Sequence, residues 1–255
     1  MNRRCFGLIG CLSLAAATAA AQQVHWPVNS LERPRPPVVQ PGAPLPPAPP
    51  PSDAMLLFDG KNLSAWEGEE GKPAGWTLRD GYMEVKPGSG AIHTRIPFGS
   101  IQLHIEWAEP TPTHGESQER GNSGVFLMSR YEIQVLDSWR NDTYADGQAA
   151  AMYAQRPPLV NASRPPGIWQ SYDIVFIRPR FAPDSSVTQP ARVTVFHNGV
   201  LVHHDNAFSG RTVHGREAIY EAHEDRLPLL LQDHGNLVRF RNVWVRELGD
   251  DPGGG

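Results

Sequence analysis

Glu132 and Gln134 lie two residues apart in the run Tyr-Glu-Ile-Gln-Val-Leu at 131–136. In a strand that spacing puts both side chains on one face, with Ile133 and Val135 turned to the core. A carboxylate can take or give a proton, and an amide beside it can hold a hydroxyl. The same parity argument finds further polar groups. "IQLHIEW" sends Ile101, Leu103, Ile105 and Trp107 one way and Gln102, His104 and Glu106 the other. "RVTVFHN" turns Arg192, Thr194 and Phe196 away from Val193 and Val195. Gln232 and His234 share a parity in "LLLQDHG", and Arg239 and Arg241 alternate with Val238 and Phe240. Such a face has carboxylate, amide, imidazole and guanidinium but almost no lysine. On a curved sheet it suits a polyol better than plain solvent.

General acid–base chemistry fits these residues best. Glu106, Glu132, Asp137 and His234 can move protons. Asn122, Arg130, Gln134, Gln232 and Arg241 can hold hydroxyls or stabilise an oxyanion. His234 is the member whose ordinary pKa lies near neutrality. A retaining glycosidase would need two carboxylates about 5 Å apart. Laminarinase-like sandwiches place acids at i, i+2 and i+4 of one strand. Here those positions hold Glu132, Gln134 and Leu136, and Asp137 is one residue out of phase. Ser123 follows Asn122 at a turn or bulge, not in a nucleophile elbow. His104 with Glu106, or His234 with Asp233, could give ligands to a divalent cation, so a metal stays open. His203 and His204 are adjacent and should point to opposite faces.

The elements that must position these groups read as strands. The chain has 255 residues, 40% hydrophobic and 20% charged, with 24 Gly and 25 Pro. "GWTLRDGYMEVKPG" is a hairpin about Asp80-Gly81, and "ARVTVFHNGVLVHH" is another about Asn198-Gly199. "GVFLMS" and "YEIQVLDS" form a third, and "YDIVFIRP" adds a further strand. No long 3.6-period stretch competes. About ten to twelve short strands predict an all-β antiparallel sandwich or jelly roll. Residues 140–167 break the pattern, and a crossover loop over one sheet face is expected there; loops this long are usually functional. The net charge of −4, with no basic block, gives no reason to expect nucleic-acid binding.

The N-terminus reads as an export signal over residues 1–21. Arg3 and Arg4 precede an apolar run, and Ala19-Ala20-Ala21 offers a cleavage site before Gln22. A periplasmic or secreted protein is expected, and not a transmembrane one after processing. Leu8-Ile9-Gly10-Cys11 also has a lipobox look, which makes a lipid-anchored form the alternative. Cys5 and Cys11 both lie in the signal, so the mature chain would have no disulfide, thiolate nucleophile or cysteine-based zinc site. Residues 22–52 form a Pro-rich spacer, with "RPRPPVVQPGAPLPPAPPPS" favouring extended polyproline II. The folded domain runs over 53–248, and 249–255 reads as a disordered tail.

Five stretches occur in order: "LLFDGKNLSAW", "GNSGVFLMSRYEIQVLDS", "GQAAAMYAQRPPLVNASRPPGIWQSYDIVF", "VTVFHNGVLV" and "LLLQDHGNLVRFRNVWVREL". Together they resemble the 3-keto-disaccharide hydrolase family, also described as 3-keto-glucoside 1,2-lyases and 3-keto-2-hydroxyglucal hydratases. The resemblance covers about Met55 to Leu248. The family pattern has Arg-Gly before the Tyr-Glu-Ile strand, where this chain has Ser129-Arg130.

The resemblance implies a concanavalin/laminarinase-like sandwich and a substrate oxidised at C3 by a partner oxidoreductase. The ketone acidifies the C2 proton, a base removes it, and the enolate expels the C1 substituent. Hydration of the glucal gives net hydrolysis. On this reading His234 or Glu132 is the base, and Glu106 or Asp137 is the acid or a metal ligand. Asn122, Arg130, Gln134 and Gln232 hold the keto-sugar. The rival is a non-catalytic carbohydrate-binding sandwich, which would show an exposed aromatic platform instead of this acid, amide and imidazole face.

Overall fold

A computed structural model describes residues 25–249, apart from 45 and 48. The expected signal and both cysteines therefore lie outside the described residues, as do 22–24 of the spacer and all but Gly249 of the tail. The strands, in chain order, are β1 (Met55–Phe58), β2 (Trp66–Glu67), β3 (Thr77–Arg79), β4 (Tyr82–Glu84), β5 (Ile92–Phe98), β6 (Ile101–Ala108), β7 (Ser123–Leu127), β8 (Tyr131–Val135), β9 (Gln170–Ile177), β10 (Arg180–Phe181), β11 (Val187–Gln189), β12 (Arg192–His197), β13 (Val200–Ala207), β14 (Leu227–Leu231) and β15 (Arg239–Glu247). Among the described residues no helix is long and apolar enough to cross a membrane.

The strands form the expected antiparallel sandwich. The large sheet has the order β13-β12-β9-β6-β15-β4-β3, with β1 also paired to β15. The small sheet has the order β2-β5-β14-β7-β8, and β10-β11 is a separate ribbon. The hairpins turn where glycine and asparagine permit it. Asp80-Gly81 and Asn198-Gly199 both take positive φ, the geometry whose twist matches a two-residue hairpin. Leu103, Ile105 and Trp107 of β6 and Ile174 and Phe176 of β9 face Val125, Ile133, Val135 and Leu231 of the small sheet, all almost fully buried. With no cysteine among the described residues, this core carries the fold. Tyr172 ties the layers together by donating its hydroxyl to the Gln134 carbonyl at 2.7 Å.

The 140–167 segment does more than cross a face. It pairs with the free edge of β8: Gln134 N–H donates to the Ala151 carbonyl, Ala150 N–H to the Gln134 carbonyl, and Tyr153 N–H to the Glu132 carbonyl. That covers an edge that would otherwise be open. The segment then reaches the large sheet, where Leu159 N–H donates to the Val202 carbonyl and His203 Nε2 to the Ala150 carbonyl at 2.8 Å. His203 and His204 do lie on opposite faces, but His203 is fully buried as a fastener of this loop. Part of the Pro-rich segment is laid along the domain and does not stand off from it. Val39 N–H donates to the Asn161 carbonyl and Asn161 N–H to the Pro37 carbonyl, each at 2.9 Å.

Candidate active site

The outer face of the small sheet carries one row across all five strands. Register pairs Glu67 with His93, His93 with Leu230, Leu230 with Phe126, and Phe126 with Glu132. One step along, Gly124 pairs with Gln134, and Gln232 N–H donates to the Gly124 carbonyl at 3.1 Å. Above Phe126, Glu132 and Gln134 opens a cleft of about 510 Å³. Asn122, Gln232 and His234 also line it. Five of the nine residues singled out from the sequence therefore meet in one cavity.

Glu132 is the unusual group. Its side chain is buried on an open cleft floor, and among the described residues no cation pairs with it. Burial alone pushes its pKa up to about 8. It lies over Gly124, where any side chain would collide with it. Its backbone N–H donates to Thr212 Oγ1 at 3.1 Å, which ties the strand to the 210–214 turn. The Gln134 amide stands between Glu132 and Gln118. Gln134 Nε2 donates to Gln118 Oε1 at 3.0 Å; turned end for end, it donates to Glu132 Oε1 at 3.1 Å and to the Ser123 carbonyl at 2.9 Å. The first orientation leaves the amide oxygen 2.9 Å from the Ser123 carbonyl oxygen, so the second is the satisfied one. The second suits the carboxylate. Gln118 is held by donating to Thr143 Oγ1 and to the Gly147 carbonyl, and Asn122 Nδ2 donates to the Gln118 carbonyl at 2.7 Å.

Sequence reasoning missed the residues that complete the cleft: Gln118, Glu119, Thr212, Tyr144, Tyr153 and His214. Tyr144 and Tyr153 come from the long loop and His214 from the turn after Thr212. The Tyr144 and Tyr153 hydroxyls are 2.7 Å apart, and the Tyr153 hydroxyl is 2.8 Å from His214 Nδ1. Burial, then the bond to Tyr153, raises the Tyr144 pKa; burial also raises that of Tyr153. The result is a chain of exchangeable protons along the cleft wall. Tyr144 packs edge-on against Gly147, where a Cβ would overlap its ring. Alternation is silent inside a loop; the available signal was two tyrosines in a long segment already marked as functional.

The chain matches the family described as the 3-keto-alpha-glucoside-1,2-lyase-like domain over residues 53–246. It belongs to that family. A solved structure titled "putative glycosyl hydrolase", from Parabacteroides distasonis ATCC 8503, is 45% identical, with a TM-score of 0.78 over 85% of this chain and 93% of that one. Two others with the same description and source are 22% and 20% identical, each with a TM-score of 0.53, and they share the fold. They cover 77% and 75% of this chain and 94% and 98% of their own lengths. No curated protein matches. Family and neighbour together make this a carbohydrate-active protein of hydrolase or lyase type.

In this lyase-like domain the other four sequence-derived residues lie elsewhere. Glu106 and Arg241 are on the outer face of the large sheet, the far side of the sandwich. Arg241 Nε donates to Glu106 Oε2 at 2.7 Å, Asn242 Nδ2 to Glu106 Oε1 at 2.9 Å, and the guanidinium sits 4.1 Å above the Trp169 ring. Parity sorts inward from outward on each strand but does not say which sheet the strand joins. The single polar face expected from the sequence is therefore two faces, with His104 and Arg192 on the large-sheet one. Asp137 follows β8 and is fully buried against Arg120, Oδ2 to Nε 2.8 Å; burial raises its pKa and Arg120 opposes that. Arg130 is in the β7–β8 turn and pairs with Glu221 at 3.3 Å. Among the described residues no group of three or more His, Cys, Asp or Glu could hold a metal ion.

Proposed function

We propose that the protein is an exported enzyme that cleaves 3-keto-glycosides by elimination, with hydration giving net hydrolysis. The observation that carries this reading is Glu132: a buried carboxyl without a cation, pKa about 8, on the floor of an open cleft of amide and hydroxyl donors. A base of that strength matches a proton made acidic by a neighbouring ketone. A retaining mechanism would need a second carboxylate about 5 Å across the bond; the other carboxylate of the cleft, Glu119, is exposed to solvent, whereas Glu132 is buried.

The ionised Glu132 takes the C2 proton, and its electron pair forms the enolate with the C3 ketone. Collapse of the enolate restores the ketone, makes the C1–C2 double bond and breaks the C1–O bond. The leaving oxygen takes a proton from the His214–Tyr153–Tyr144 chain. Water then adds across the C1–C2 double bond: its oxygen bonds C1 while the proton chain takes back a proton, and Glu132 returns its proton to C2, which gives the free keto-sugar. Gln134, Asn122 and Gln232 hold hydroxyls, and His234, exposed at the rim, meets the outer part of the substrate. The ketone itself must come from a partner oxidoreductase, since no residue of the cleft can oxidise C3.

Incubation with a chromogenic 3-keto-glucoside, beside the same glucoside unoxidised and a C2-deuterated 3-keto form, tests this. Only the keto-glycosides should be cleaved, with a primary isotope effect at C2. Cleavage of the unoxidised glucoside, or no isotope effect under single-turnover conditions, would overturn the elimination. Binding without cleavage would make the cleft a lectin-like site.

A further inference from the structure

The outer face of the large sheet carries a second concavity, and the Pro-rich segment is its outer wall. Arg164 fixes the segment at one point: its NH2 donates to the Gly42 carbonyl at 3.0 Å, and its NH1 donates to the Trp169 carbonyl at 3.0 Å. From Ala43 onward the segment runs over open space. Ala43, Pro44, Pro46, Pro47 and Pro49 are exposed, and beneath them are two lobes of about 500 and 620 Å³. Both volumes are of the size that takes small ligands. Trp169 lines both lobes, so its ring is common to the two.

The floor of the first lobe is built from β9 and β6, whose register sets Asp173 beside His104 and Ser171 beside Glu106. Glu106 is engaged by Arg241 and Asn242. Its neighbours have bonding capacity to spare. The Asp173 side chain is 44% exposed, and its Oδ1 takes His104 Nδ1 at 2.6 Å, which leaves the other oxygen to the lobe. Arg164, in the wall, keeps its Nε unpartnered among the described residues. Charge then decides the class of ligand. In the first lobe His104, charged at neutral pH with a pKa of about 9, and Arg164 face Glu106 and Asp173. In the second, Arg239 and Arg241 face Asp59 and Asp80. Each lobe is balanced, so neither a phosphate nor a polyamine meets a field that draws it in. Trp169 and Tyr82 add two aromatic rings with centroids 6.1 Å apart. Ring faces beside planar polar groups suit a pyranose, which packs its C–H face on a ring and bonds through its hydroxyls at the edge. A proline-rich peptide would use the same rings, but the chain's own segment already stands there.

We propose that this groove is a second, non-catalytic carbohydrate site, which holds a neutral oligosaccharide between the large sheet and the Pro-rich segment with a sugar ring against Trp169. It lies across the sandwich from the Glu132 cleft and does not depend on the elimination.

Binding of maltohexaose, cellohexaose and mannohexaose to the full-length protein, followed by calorimetry and by the Trp169 indole N–H signal in NMR, tests this. At least one sugar should bind and move that signal. Trp169→Ala should weaken that sugar about tenfold, the loss expected for one aromatic stacking contact. Asp173→Ala, on the half-exposed floor, should act in the same sense and decides the matter if the Trp169 variant does not fold. Gln134→Ala, in the cleft, should leave the affinity as it is. Binding lost in Gln134→Ala but kept in Trp169→Ala and Asp173→Ala would put the sugar in the Glu132 cleft and overturn the proposal. So would no binding of any of the three sugars at millimolar concentration. A synthetic peptide of residues 33–52 that moves the Trp169 signal where no sugar does would make the groove a polyproline cradle instead.

Discussion

The Glu132 carboxylate lies on the backbone of Gly124: a Cβ built at position 124 would stand 2.5 Å from Glu132 Oε1 and 2.8 Å from Phe126 Cε2. Cross-strand neighbours on one face normally share the space between them. Here the absence of a side chain on β7 lets the carboxylate of β8 lie flat on the sheet, where it is desolvated. Gly124→Ala must lift Glu132 or push Phe126 aside. Overpacking of this kind costs about 1–3 kcal/mol. A misplaced base of about 1 Å costs roughly a hundredfold in turnover. We therefore expect a folded variant with a modest loss in melting temperature and a ~100-fold lower kcat. A folded variant of wild-type activity would mean that Glu132 is not the base.

The raised pKa of Glu132 fixes the pH dependence of the reaction. A base works in its ionised form, and burial holds that form back until about pH 8. The value of kcat/KM should fall about tenfold per pH unit below that midpoint and level off above it. A profile already flat from about pH 5 would assign the proton transfer to an ordinary, solvated carboxylate.

The same shift makes a separate claim on stability. The folded-state pKa, about 8, is above the 4.5 of an unperturbed glutamate. The native carboxyl therefore binds its proton more tightly than the unfolded one. The stability this contributes is fully present below about pH 4.5 and is lost as pH rises through about 8. Glu132→Gln keeps the shape and cannot ionise. Its melting temperature relative to wild type should be constant below about pH 4.5, rise in its favour up to about pH 8 and level off above that, while its turnover falls about 10²–10⁴-fold. A difference that does not vary with pH would show that Glu132 titrates normally.

Much of this architecture was legible in the chain because alternation reports directly on strands. Ile133 and Val135 are fully buried, the Asp80-Gly81 and Asn198-Gly199 turns are where the dipeptides put them, and Glu132 and Gln134 share a face. What alternation does not contain is the order of strands in space. Glu106 and Glu132 have the same parity yet end on opposite surfaces, since β6 joins the large sheet and β8 the small one. Position in a loop is also outside its reach. Tyr144, Tyr153 and His214 are brought together by long-range bonds from non-periodic segments.

The large-sheet cluster supplies the sharpest control on where the chemistry happens. Glu106 is 6% exposed and accepts from Arg241 and Asn242. It also stands 3.7 Å from His104 Nε2. Desolvation alone would lower the His104 pKa, but bonds to Asp173 and Glu106 raise it to about 9, so the imidazole is charged at neutral pH. Glu106→Gln removes the negative charge from between two cations. Loss of charge-assisted bonds in a buried setting should cost about 1–3 kcal/mol, read as a lower melting temperature. The cluster is across the sandwich from the cleft, so kcat and KM at a temperature where the variant is folded should match wild type. A Glu106→Gln protein that is folded and inactive would move the site to the large sheet and leave the Glu132 cleft without a catalytic role.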